Sequence, residues 1–105
     1  MQSQEEKQEA SEQGGKNRVQ LRVQTPRGLW SMKEPADAKL RPDYPRSTKV
    51  QRVIDDARSV FKFVENDSKY TLFHAQQPLD TERTLASYEL ENDTLLTLSV
   101  QGGNA

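Results

Sequence analysis

A single apolar stripe at helical spacing most limits the folds open to this chain. Val50, Val53, Ile54, Ala57 and Phe61 fall at i, i+3, i+4, i+7 and i+11. That spacing predicts one amphipathic helix of roughly 11–14 residues, with Ser47 and Thr48 as its N-cap residues. Everything around it reads as strand or turn. Val19, Leu21 and Val23 alternate with Gln20, Arg22 and Gln24, the period of a half-buried strand. Thr25-Pro26-Arg27-Gly28 marks a turn. Leu29–Lys33 resumes a strand in which Trp30 and Met32 point one way, so the first two elements form a hairpin.

Residues 34–46 carry Pro35, Pro42 and Pro45. Prolines so spaced exclude a regular interior element, and the stretch reads as a long connection pinned by Leu40 and Tyr44. Beyond the helix, Glu65-Asn66-Asp67-Ser68 is a polar turn and Tyr70–His74 a third strand. Gln76-Gln77-Pro78 is a turn, with a small strand near Leu79. Thr84–Tyr88 makes one helical turn, Glu91-Asn92-Asp93 another turn, and Leu95–Val100 the last strand, with Leu96 and Leu98 inward. The order β-β-α-β-β predicts an α+β domain, a mixed sheet of four to five strands packed on one helix.

Composition sets the limits of function. The chain has 105 residues, 32% of them hydrophobic, and the deficit is concentrated in residues 1–17. MQSQEEKQEASEQGGKN holds no aromatic or β-branched residue, so it cannot offset its ordering entropy and is expected to be a disordered acidic tail. That leaves about 88 residues, enough for one modest core and too few for a deep catalytic cleft. Of the 15 basic and 16 acidic residues, the tail takes Lys7, Lys16 and four Glu, so 13 and 12 remain. A near-balanced domain is not a nucleic-acid binder; Arg18, Arg22 and Arg27 read as a solvated strand face. No cysteine is present, which excludes disulfides, thiolate metal sites and a cysteine nucleophile. His74 is the only histidine and reads as a surface residue. No apolar run reaches a membrane span, and the N-terminus lacks the basic and apolar regions of a signal peptide. A cytoplasmic monomer with no cofactor and no catalytic residue is expected.

The ordered combination of these elements resembles the ubiquitin-like (β-grasp) family, and in local phrasing its small bacterial members. Val19–Trp30 is similar to the family's first hairpin. Val50, Val53 and Ala57 stand where its helix faces the sheet. Within Tyr70–Gly103, the residues Leu72-Phe73, Ala75, Leu79, Arg83-Thr84-Leu85, Tyr88, Leu90, Thr94 and Leu96 follow its pattern. The resemblance covers about 80 residues, 18–101, and is broken by the connection at 34–46. It leaves 102–105 as a flexible C-terminal tail.

The resemblance implies a protein modifier. Gly102 and Gly103 match the family's terminal pair, where a Cβ would obstruct the narrow channel of an activating enzyme. Asn104 and Ala105 follow, so a protease would first cut after Gly103. Activating, conjugating and processing enzymes are then the implied partners. Two departures favour a non-conjugated interaction domain, or a small structural subunit of a complex: the tail is about two residues short, and Gln101 replaces a basic residue. The family's recognition patch falls on Pro26, Phe73 and Ser99, flanked by Thr97. Positions of chain-forming lysines hold Gln77, Leu29, Asn92, Ile54, Asp56 and Gln24, so linked chains are not implied. Tyr88 is expected to bond nearby backbone through its hydroxyl.

Overall fold

The computed structural model describes residues 17–64 and 70–100. Its elements are β1 (Arg18–Thr25), β2 (Gly28–Trp30), β3 (Asp43–Pro45), α1 (Val50–Phe61), β4 (Tyr70–His74), β5 (Gln77–Pro78), a 3-10 turn over Ala86–Tyr88, and β6 (Thr94–Val100). The sheet runs β2-β1-β6-β4-β5, with β3 also paired to β1. Only β1 and β6 are parallel, and all other pairs are antiparallel. This is a mixed six-stranded sheet packed with one helix, the ubiquitin-like β-grasp arrangement.

Alternation built that sheet as the sequence predicts. Val19, Leu21 and Val23 of β1, Leu96 and Leu98 of β6 and Leu72 of β4 are buried against Val50, Val53, Ile54 and Ala57 of α1. One face of each strand is therefore spent on the helix, and the other is left to solvent. The hairpin turn needs Gly28: its φ is +139°, a conformation side chains disfavour, and an added Cβ would lie 3.4 Å from the Phe61 ring.

Four expectations are corrected. The connection at 34–46 contains strand β3, so the sheet has six strands rather than four or five. Its prolines are tolerated because β3 lies on the sheet's edge, where a missing N–H breaks no ladder. The helix begins after Lys49, and neither Ser47 nor Thr48 caps it. Its first amides find distant partners instead: Val50 N donates to the Arg83 carbonyl at 2.9 Å and Gln51 N to the Thr81 carbonyl at 3.1 Å. The third turn is Ala75-Gln76, with φ of +51° and +69°, and Gln77–Pro78 pair back onto β4. Two positive φ values make a mirror-image hairpin turn, which this chain builds without the usual Asn-Gly signal. Lastly, the arginines do more than solvate a strand. Arg18 donates to the Asp43 carbonyl, Arg22 to Asp93, Arg27 to Phe61 and Lys62, Arg41 to Pro35 and Ala36, and Arg46 to Leu90. Arg18 thereby ties β1 to β3, and each of the others fixes a loop or helix end by a charge-assisted bond.

Of the two residues expected to pin the long connection, Tyr44 is buried and Leu40 is 39% exposed. The Leu40 carbonyl still accepts the Trp30 Nε1–H at 3.0 Å. Tyr44 stands edge-on to Trp30, 6.4 Å between ring centres, and its hydroxyl donates to Asp56 Oδ2 at 2.7 Å. Burial, then the bond to the Asp56 carboxylate, pushes the Tyr44 phenol well above the ordinary tyrosine range. A phenol whose folded value is raised contributes stability that is complete below its unfolded value, about 10, and is lost as pH rises beyond it. Urea stability of the parent should therefore fall above about pH 10. Tyr44→Phe should flatten that decline at a cost of about 1–2 kcal/mol at neutral pH. An equal alkaline decline in both proteins would contradict this assignment.

Candidate functional site

The face of the sheet away from α1 is the surface the fold leaves available. Its residues follow from register. Gln24 lies opposite Leu29 on β2 and beside Thr97 on β6, Thr97 lies opposite Phe73 on β4, and Phe73 lies opposite Pro78 on β5. One straight row, Leu29-Gln24-Thr97-Phe73-Pro78, thus crosses five strands, a span of about 19 Å at the usual strand spacing. Arg22 beside Leu95, and Ser99 opposite Thr71, flank it.

Three of the four sequence-predicted recognition residues meet on this face. Phe73, Thr97 and Ser99, with Gln76 of the β4–β5 turn, line a shallow depression of about 350 Å³. Phe73 and Ser99 are half-buried and Thr97 exposed. Pro26 is exposed in the first hairpin turn and lies outside the depression. The long connection sits at the β2 side of the sheet, three strands from Phe73, so it does not cover that ring as a core edge would be covered. The residues that form the depression carry no formal charge, so an apolar or neutral polar group suits it best.

Sequence reading missed Gln76, Leu29 and Leu95. Gln76 could not be placed until its turn was. Leu95 is 45% exposed, and the alternation that puts Leu96 and Leu98 inward already marks it as an apolar residue on the solvent side. A second hollow of about 440 Å³, lined by Leu29, Met32, Arg22 and Lys33 among others, opens at the other end of the same face.

The remaining predictions divide cleanly. The Tyr88 hydroxyl accepts the Asp80 amide at 2.7 Å, a backbone tie as expected. His74 is half-buried at the end of β4. Among the described residues no group of His, Asp and Glu comes together as metal ligands would, and no helix is long and apolar enough to cross a membrane. Gly102, Gly103 and Asn104, the acidic tail and the 65–68 turn lie outside the described residues. β6 ends at Val100, three positions before Gly103.

No protein-family model and no curated protein matches the chain. Solved structures do. One, described as molecular mimicry of SUMO that promotes DNA repair, is 16% identical with a TM-score of 0.61, covering 81% of this chain and 94% of its own. A de novo design based on ubiquitin is 12% identical, TM-score 0.61, covering 84% and 94%. A protein of Arabidopsis thaliana solved by NMR is 13% identical, TM-score 0.62, covering 84% and 92%. At such identities the likeness is one of architecture, and the architecture shared with the ubiquitin- and SUMO-related structures is the ubiquitin-like fold.

Proposed function

We propose that this chain is a non-enzymatic ubiquitin-like protein that works by being recognised through the open face of its sheet. The observation that carries this reading is the Phe73-Thr97-Ser99 depression. A half-buried aromatic ring there is framed by short polar side chains and flanked by exposed apolar Leu95 and Pro78. An aromatic anchor in a neutral hollow is the kind of feature on which binding energy concentrates. Thr97 and Ser99 leave the surface more polar than the family's usual patch, which suits dedicated partners rather than general readers of ubiquitin.

A second reading, a modifier attached to target lysines through Gly103, is favoured by one feature of the chain, the Gly102-Gly103 pair itself. Its spacing from β6, the single residue Gln101, weighs against it. Carboxyl activation of Gly103 requires prior removal of Asn104-Ala105. The two readings share the open face and differ at the C-terminus. Intact-mass and tryptic mass spectrometry on protein from its native cell separates them. A form ending at Gly103, with its C-terminal fragment on lysines of other proteins, establishes the modifier. A form that continues past Gly103, without adducts, leaves the recognition domain.

A further inference from the structure

Strands β2 and β3 are two halves of one strand. The register of Val23 with Trp30 would place residue 34 opposite Val19 in an uninterrupted hairpin, yet Tyr44 stands there. Ten residues are therefore extra, and they leave and rejoin the ladder as an excursion over residues 31–42. The excursion straddles the sheet's edge. Ser31 to Glu34 border the hollow on the open-face side with Arg22 and Leu29. Pro35 and Asp37 to Leu40 border another, of about 340 Å³, with Ser59, Val60 and Lys62 at the end of α1.

The excursion also consumes several of the edge's hydrogen-bonding groups. Leu21 N donates to the Pro42 carbonyl and Arg46 N to the Asn17 carbonyl, both at 2.8 Å, so the main chain of Pro42 and Arg46 faces β1. Alternation then turns the main chain of Asp43 and Pro45 outward. The Asp43 amide is spent on the Arg41 carbonyl at 2.8 Å, and Pro45 has no N–H. Just past β2, the Ser31 amide is spent on the Glu34 carbonyl at 2.8 Å. The Trp30 Nε1 bond to Leu40 and the Arg41 bonds to Pro35 and Ala36 hold the excursion in this place.

We infer that residues 31–42 are an edge guard, which keeps a second copy of this chain from adding to the hairpin side of the sheet. An unguarded edge presents the same row of donors and acceptors on every copy, so two copies can pair about a two-fold axis. The guard replaces one continuous edge by two three-residue pieces with a loop wrapped between them.

The register supplies its own test. Deleting residues 32–41 joins Ser31 to Pro42 and keeps the Val23–Trp30, Leu21–Pro42 and Val19–Tyr44 pairings in phase. The full chain should sediment as a monomer. The deletion variant, with helical circular dichroism retained, should double in mass over the same concentration range. A second variant keeps the excursion but loosens it, Trp30→Phe with Arg41→Ala, and should shift partly toward the dimer. The inference is overturned if the parent is itself a dimer, or if the folded deletion variant stays monomeric. Should the deletion variant not fold, the double variant decides alone: a mass that stays at the monomer overturns the guard.

Discussion

Trp30→Ala should remove a large share of the domain's folding stability. The side chain is fully buried between the hairpin and the returning chain, touches Tyr44 edge-on and donates to the Leu40 carbonyl. Truncating a buried Trp to Ala costs about 3–5 kcal/mol, against a total of about 5–15 kcal/mol for an ordinary domain. The midpoint of thermal unfolding should fall by at least about 12 °C. Trp30→Phe retains most of the apolar volume and loses the N–H, so its cost should be near 1–2 kcal/mol. A melting temperature for Trp30→Ala within a few degrees of the parent would mean that the β2–β3 junction is not part of the cooperative core.

The second large effect should fall on binding rather than on stability. Phe73→Arg puts a charge into a hollow whose lining carries none. An interface anchored there should weaken by tenfold or more, about 1.4 kcal/mol per factor of ten. The ring is only half-buried and faces away from α1, so the fold itself should change by about 1 kcal/mol or less. Loss of binding with an unchanged melting temperature separates a recognition role from a structural one. Loss of both would make Phe73 a structural residue rather than a recognition residue.

The inner face of this sheet was legible because alternation and helical spacing are strong signals: Val19, Leu21, Val23, Val53, Ile54, Ala57, Leu96 and Leu98 are all buried where period alone put them. The failures have local causes. β3 was hidden by Pro42 and Pro45, whose meaning depends on being at an edge, a fact of the whole sheet. The Ala75-Gln76 turn gives no sign of its positive φ values, which the β4–β5 pairing imposes. The helix start was misread because Val50 and Gln51 are satisfied by carbonyls some thirty positions away. At the site, the resemblance brought out Phe73, Thr97 and Ser99. It gave no hint of Leu95, which strand alternation alone could have marked as outward, or of Gln76, whose place depends on the β4–β5 turn.

Site-specific photocrosslinking in the native cell tests the central claim most directly. A photoreactive residue at Thr97, beside Phe73, is compared with one at Asp55, exposed on α1. Recognition through the open face predicts a discrete adduct from position 97, its disappearance when Phe73→Arg is added, and none from position 55. Adducts from position 55 alone, or a position-97 adduct indifferent to Phe73→Arg, would contradict it.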